Sequence, residues 1–278
     1  MNDKEFSKKL LSFVLPIAFQ QFMLAIVSAS DALMVGAIGQ DLLSAVSLAS
    51  QITFVYNLFL AAITIGTSIF AAQYMGKGDQ ESVEKILAVA LRASLTVSVA
   101  FFLATVYCPG LLMQIFTTDS LLIKYGSEYL RIVGITYLLC GVSQIYLCIL
   151  KNSNLVSKSM IISSTAAFLN VLLNAVFIYG LFGAPRMEIA GAAVATTISR
   201  IVEVIWVFVE HSKKNRVKIR MAYMLKADPI LRKDFWHYTL PVLGNELVWG
   251  GGFTMYSVIM GHLGTDAVSY THLRAHET

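Results

Sequence analysis

The chain alternates long apolar stretches with short polar gaps, and this pattern predicts membrane-spanning helices. A helix needs roughly 20 apolar residues to cross a bilayer, and seven stretches are long enough. They cover residues of about 10–38, 45–75, 86–107, 126–150, 159–182, 189–209 and 236–261. None of them shows the sustained period-2 alternation that is typical of membrane strands. The sequence therefore predicts an all-α membrane protein that is embedded in the lipid bilayer.

The seventh apolar stretch repeats the first at an offset of 225 residues. Leu15-Pro16 then meets Leu240-Pro241, and further correspondences follow in the same order. They pair Gln21 with Glu246, Gly36 with Gly261, Gly39 with Gly264 and Asp41 with Asp266. Six spans separate the copies, so both enter the bilayer from the same side. This arrangement indicates an internal duplication of the parallel kind found in some secondary transporters.

Charge is sparse and unevenly placed. Charged residues make up 14% of the chain and apolar residues 56%, whereas a soluble domain carries about 25% charge. Fifteen Lys and Arg residues lie at the N-terminus and in alternate gaps, against only Lys124 and Arg186 in the other gaps. This bias places the N-terminus in the cytoplasm. The net charge of +4 therefore reflects topology, and no nucleic-acid partner is expected.

The repeat and the charge pattern together predict four regions. These are a six-helix lobe at 1–210, a basic cytoplasmic linker at 211–235, the first helix of a second lobe at 236–267, and a tail at 268–278. The linker is expected to set orientation and to touch anionic lipid, not to form a binding site. The second copy stops soon after it begins, so we expect the chain to be a little more than half of a protein.

The tail is expected to be non-native. Residues 268–278 resemble the translation of a common sequencing-library adapter over their whole length, so they are not expected to form part of the fold. His272 and His276 belong to this tail, and their spacing is not interpreted as a metal pair.

Seven ionisable residues fall inside the apolar stretches, where a charge is costly and is a candidate for function. They are Asp31, Arg92, Glu128, Arg131, Arg200, Glu203 and Glu246. Glu128 and Arg131, like Arg200 and Glu203, are three residues apart and are interpreted as structural pairs on one helix face. Arg92 lies close enough to the cytoplasmic end to extend its charge to the interface.

Asp31 and Glu246 have no opposite charge within one helical turn. A lone carboxylate at membrane depth can exchange a proton or bind a cation, which is the chemistry of ion coupling. Asn170 and Asn174 share a face of the fifth stretch, and Thr196 could add a hydroxyl from the sixth. We predict a cation-coupling site of Asp31, Asn170, Asn174 and Thr196, with Glu246 as a possible acid of the second lobe. The alternative for the Asn and Thr side chains is ordinary hydrogen bonding between helices.

Several motifs in order resemble the multidrug and toxic compound extrusion (MATE) transporters. They are Pro16…Gln20-Gln21…Asp31-x-x-Met34-Val-Gly36…Gly39, Gln73-x-x-Gly76-x-Gly78-Asp79, Asn170-x-x-x-Asn174 and Gly191-Ala-Ala-x-Ala-Thr196. The resemblance covers residues from about 10 to 267. It implies two six-helix lobes around a central cavity, monomeric when full length, in the cell (plasma or inner) membrane. It also implies export of organic, often cationic, compounds or drugs in exchange for H⁺ or Na⁺, without a cofactor.

By position, the resemblance makes Asp31 the coupling carboxylate, with Asn170 and Thr196 as its neighbours. Asn174 stands where several relatives have a second carboxylate, so a two-acid site is absent. Glu246 lies about one turn before the Glu of another branch of the family. A single acid favours a proton over Na⁺ as the coupled ion, because a neutral carboxylic acid is the cheaper occupant of an apolar site; Na⁺ at Asp31 stays the alternative.

Three other functions would each need residues that this sequence does not place at membrane depth or would leave Asp31 unexplained. A flippase for lipid-linked precursors would need several basic residues in the cavity, and only Arg92, Arg131 and Arg200 lie at depth. An intramembrane enzyme would need a nucleophile–base pair or clustered metal ligands at depth, and the apolar stretches contain neither. A scaffold without transport is disfavoured by the unpaired Asp31 beside the Asn pair.

Overall fold

The structure is a computed structural model that describes residues 3–226 and 228–263. The predicted all-α fold is confirmed, since the described residues form helices joined by short loops. The α-helices are α1 (Asp3–Gly36), α2 (Gln40–Gly76), α3 (Gln80–Tyr107), α4 (Pro109–Gln114), α5 (Ser120–Asn152), α6 (Val156–Tyr179), α7 (Glu188–Ser212), α8 (Met221–Leu225) and α9 (Pro229–Leu263). A 3₁₀ turn at Leu181–Gly183 follows α6. The predicted tail, 268–278, lies outside the described residues.

Six helices of the described chain are long and apolar enough to cross a membrane, and they coincide with the first six predicted spans. They are α1, α2, α3, α5, α6 and α7. The seventh predicted span is helical as part of α9, but α9 is not among these six. Its polar Asn245 and Glu246 and the run Gly250–Gly252 lower the hydropathy of the helix.

Two helices begin several residues before the apolar stretch that predicted them, because an aspartate caps each one. Asp79 accepts from Ser82 N at 3.0 Å at the start of α3. Asp119 accepts from Leu121 N at 2.8 Å at the start of α5. The hydrogen bonds from Ser82 hold the pKa of the Asp79 carboxyl below its usual value. The short helices α4 and α8 lie in segments expected to be loops.

The basic segment 211–235 is docked on the helix ends and is not a free tether. Buried Glu84 of α3 accepts from Lys218 N at 3.1 Å and from the guanidinium of Arg220, and this pairing raises the pKa of Arg220. Tyr146 of α5 donates its hydroxyl to Val217 O at 3.1 Å. These bonds fix residues 217–220 against α3 and α5, and the role of the segment in orientation stays a prediction.

Helix α9 packs along α2 and touches α3. The seam is close because Gly66 of α2 lies against Thr239, and Gly250 of α9 lies against Leu58. A Cβ at either glycine would occupy the space of the facing side chain. Helix α1 contains Pro16 and helix α9 contains Pro241. The two copies of the repeat therefore both form a long helix with an internal proline.

Candidate functional site

Four side chains that the sequence singled out come from three helices and are joined by hydrogen bonds. Asn174 on α6 donates through Nδ2 to the Asp31 carboxylate of α1, and the same Nδ2 lies 3.3 Å from Oδ1 of Asn170. Asn170 donates through its own Nδ2 to Thr196 Oγ1 on α7 at 3.2 Å. The structure thus brings the four residues together, while their role in ion coupling stays a prediction.

Small residues let α7 approach α6 closely enough to complete this hydrogen-bonded chain. A Cβ at Gly191 would lie 2.7 Å from the backbone of Phe177 on α6. One turn later, Thr196 donates its hydroxyl to Ala192 O at 3.0 Å. Because that proton is used within its own helix, the Thr196 oxygen remains an acceptor for Asn170.

Asp31 lies in the wall of a polar cavity of about 330 Å³ between α1, α2, α5, α6 and α7. Asn170 and Thr196 line the same cavity, whereas Asn174 is buried behind Asp31. The Oδ1 atom of Asn174 has no hydrogen-bond partner in the described part of the chain. The remaining polar side chains of the wall are Ser28, Ser50, Thr53, Asn57, Tyr129, Ser163, Ser199 and Arg200. Asp31 therefore faces a polar space inside the bundle.

A second cavity, of about 480 Å³, shares part of its wall with the first. The shared residues are Leu24, Asn57, Ser163 and Arg200. Amide side chains dominate the polar part of its wall, which includes Gln20, Gln21 and Gln144. The two cavities together form a polar region with Asp31 in one part and the Arg200 side chain in the wall common to both.

Arg200 carries its own counter-ion. Its Nη1 lies 2.7 Å from Oε2 of Glu203, which is only 1% exposed. Gln144 of α5 donates through Nε2 to the other oxygen, Oε1, at 3.0 Å. Both oxygens of the buried carboxylate are therefore satisfied, and the pairing predicted from the three-residue spacing is formed.

The other sequence candidates lie elsewhere. Glu246 is half-buried on α9 and lines neither cavity. Glu128 and Arg131 are both exposed on α5, and no ion pair joins them among residues 3–226 and 228–263. Their three-residue spacing alone did not produce a pair. Arg92 lines a separate groove at the start of α9.

Sequence reasoning missed part of the cavity wall. The spacing of Arg200 and Glu203 predicts only a structural pair, whereas Arg200 also lines the same cavity as Asp31, the predicted coupling residue. Asn57, Gln144 and Ser163 were not singled out at all. A signal was available for two of them, because Asn57 and Gln144 are amides within apolar stretches, where polar side chains are costly unless they find partners.

The groups around Asp31 that could bind a cation do so through oxygen atoms. A carboxylate, two amide oxygens and a hydroxyl can hold a proton or contribute to a Na⁺ site. In the part of the chain that the structure describes, no group of three or more His, Cys, Asp and Glu side chains is placed to hold a metal ion.

The six apolar helices around polar cavities define the class as a multi-pass helical membrane protein. The MatE family model matches residues 16–176, which is more than half of the chain. The chain therefore belongs to the MatE family, the MATE transporters, and the resemblance inferred from its motifs is confirmed. The family is one of transporters and not of enzymes.

Two relatives show how far the likeness extends. The chain is 22% identical over 267 residues to the "Uncharacterized transporter YisQ" of Bacillus subtilis, covering 96% of this chain and 58% of that protein. It is 24% identical over 198 residues to the "Probable multidrug resistance protein NorM" of Thermotoga maritima, covering 71% and 43%. The chain thus spans about half the length of the curated relatives it matches.

Solved structures of transporters share the fold. A MOP superfamily transporter from Pyrococcus furiosus superposes with a TM-score of 0.76 at 20% identity, covering 85% of this chain and 52% of that one. An inward-facing multidrug resistance MATE family transporter gives a TM-score of 0.77 at 19% identity, covering 93% and 59%. At this level of identity the likeness concerns the fold alone.

Proposed function

We propose that the chain forms the ion-coupling lobe of a secondary antiporter that exports small organic, often cationic, compounds from the cell. The observation that carries the proposal is the position of Asp31, a carboxylate in a polar cavity that is held by a neutral amide. Such an acid can change its charge without breaking an ion pair. The substrate class rests on the family and on the relative named as a multidrug resistance protein.

The coupled ion in this proposal is a proton. The site holds a single acid, Asp31, and a neutral carboxylic acid is the cheaper occupant of a largely apolar helix bundle. When Asp31 takes up a proton it becomes a hydrogen-bond donor and needs an acceptor. The Asn174 amide can provide one by turning over, since its Oδ1 has no partner among the residues described.

The second cavity is the proposed share of this lobe in substrate binding. Its volume of about 480 Å³ lies within the usual range of small-molecule sites. Its amides can form hydrogen bonds to an organic compound without adding charge. The full-length transporter is proposed to act as a monomer in the cell membrane, with its N-terminus in the cytoplasm.

The test is efflux by the complete transporter carrying Asp31→Asn, measured in everted membrane vesicles at matched expression. We expect transport driven by a pH gradient to fall to background, because the amide cannot exchange a proton. Asp41→Asn is the matched control, since Asp41 is exposed in the first turn of α2 and its loss should leave efflux unchanged. Wild-type efflux by Asp31→Asn would show that Asp31 is structural, and efflux driven only by a Na⁺ gradient would replace the proton with Na⁺.

A further inference from the structure

A groove of about 270 Å³ lies between α3 and the start of α9, apart from the cavities around Asp31. On α3 its wall includes Val89, Arg92 and Val97, which recur at the spacing of one helix face. On α9 the wall is formed by Arg232 and Trp236, one turn apart. The groove therefore combines an apolar surface with two guanidinium groups from separate elements.

Neither arginine has an acidic partner in the part of the chain that the structure describes. No carboxylate lies within ion-pair distance of Arg92 or Arg232 among residues 3–226 and 228–263. Asp228, the acid one turn before Arg232, is occupied in capping α9, where its Oδ1 accepts from Ile230 N at 3.0 Å and Leu231 N at 3.2 Å. Two unneutralised guanidinium groups on one groove suit a phosphate, which they bind through charge-assisted hydrogen bonds.

The surroundings of the groove are those of a membrane interface. Helix α3 is one of the six membrane-crossing helices, and Arg92 lies about 18 Å along its axis from Gln80 at ~1.5 Å per residue. Beyond Arg92 the same face continues with exposed Val99 and Leu103. Trp236 packs against the main apolar core, so this wall is preformed, and tryptophan is enriched at the level of lipid headgroups.

We propose that this groove, the Arg92–Arg232 groove, binds an anionic phospholipid with its phosphate at the two arginines and an acyl chain along α3. A free phosphate ion would use the arginines but would gain nothing from the apolar wall. The occupant is therefore a lipid of the phosphatidylglycerol type, in the leaflet that faces the start of α3. The proposal does not depend on the ion-coupling role of Asp31.

The first test measures lipid affinity of the purified chain in detergent by native mass spectrometry. Dioleoyl phosphatidylglycerol should bind more tightly than dioleoyl phosphatidylcholine. Arg92→Gln with Arg232→Gln should weaken phosphatidylglycerol binding by roughly fivefold for each arginine, equivalent to about 1 kcal/mol per basic residue near an anionic lipid. The double variant Lys226→Gln/Lys233→Gln should change little, because both lysines are exposed nearby but lie outside the groove.

The second test reads the groove directly through Trp236. In a chain with Trp206→Phe and Trp249→Phe, brominated phosphatidylglycerol should quench the remaining tryptophan more than brominated phosphatidylcholine does. Arg92→Gln/Arg232→Gln in that background should remove the difference, while Arg92→Lys/Arg232→Lys, which keeps both charges, should retain part of it. The lysine variant keeps the test decisive if the glutamine variant unfolds.

Three results would overturn the proposal. Equal binding of the two lipids would exclude a headgroup site. Equal loss in the Lys226→Gln/Lys233→Gln control would assign the effect to diffuse surface charge. Displacement of phosphatidylglycerol by millimolar inorganic phosphate would identify a free-anion site; we expect no displacement.

Discussion

Among the described residues, the acids that lie inside the helix bundle, fully or partly buried, fall into two groups that differ in the charge of their partners. Glu203 faces Arg200 at 2.7 Å, and Glu84 accepts from the guanidinium of Arg220. Asp31 accepts from the neutral amide of Asn174. An acid paired with a fixed cation cannot lose its charge without leaving that cation uncompensated, whereas an acid held by an amide can. The sign of the partner, more than depth, therefore separates acids that support the fold from one suited to exchange a proton.

The largest effect on stability is expected for Arg200→Gln. It leaves Glu203, 1% exposed, as a buried charge with only Gln144 as a neutral partner. Removing one member of a buried pair costs about 3–5 kcal/mol, which should appear in the free energy of unfolding in detergent. Arg200→Gln/Glu203→Gln should recover most of that loss. A single variant as stable as the wild type would show that Glu203 is not held by this pairing.

A smaller loss, about 1–2 kcal/mol, is expected for Glu84→Gln, because hydrogen bonds to a charged group are the ones removed. Arg220 can rehydrate, since its side chain is 57% exposed, so no buried cation is left behind. Faster amide hydrogen exchange over 217–220 would report undocking of the basic segment. Glu188→Gln is the control, since Glu188 pairs with Arg186 at the surface and begins α7 at the end opposite to the basic segment. Unchanged exchange in Glu84→Gln would contradict the docking role.

Asp31→Asn should change the free energy of unfolding by less than about 1 kcal/mol. The amide has the shape of the carboxylate and can keep a hydrogen bond with Asn174, so the substitution leaves no buried polar group without a partner. The same variant is expected to stop proton-driven efflux. A stability loss as large as that of Arg200→Gln would place Asp31 with the structural acids and end the distinction between the two groups.

The smallest effect is expected for the coupling between Glu128→Gln and Arg131→Gln, within about 0.5 kcal/mol, because no ion pair joins the two side chains among residues 3–226 and 228–263. Both side chains are exposed on α5. The double variant should equal the sum of the two single variants in thermal unfolding, because groups that do not interact behave additively. A coupling well above that level would mean that the pair predicted from the sequence forms after all.

The helices were predictable because hydropathy and helix length are local properties. The first six apolar stretches each gave a membrane-length helix, and the shift of two helix starts came from Asp79 and Asp119, whose capping role a closer look at the sequence would have found. The pairing of Arg200 with Glu203 was also local.

Tertiary position was harder to predict. That Arg200 lines the wall shared by two cavities depends on how α7 packs against α1, α5 and α6, and no spacing within α7 encodes it. The docking of 211–235 depends on Glu84, which lies far away in sequence on α3. Glu128 and Arg131 fail for the converse reason, since a correct spacing does not guarantee that two exposed side chains meet.

The glycines at the seam of α2 and α9 determine which movements the seam allows. Gly66 receives Thr239, Gly250 receives Leu58, and Gly261 lies against the backbone at Phe116. Sliding α9 by one helical turn, about 5.4 Å, would carry Leu58 away from its glycine and into positions that bear ordinary side chains. Rotation of α9 about the line that joins these contacts keeps each glycine against its partner, whereas tilting α9 would separate at least two of the three contacts. The glycine contacts therefore oppose sliding of α9 along α2 and leave rotation about the line of contact as the movement that the two helices can make.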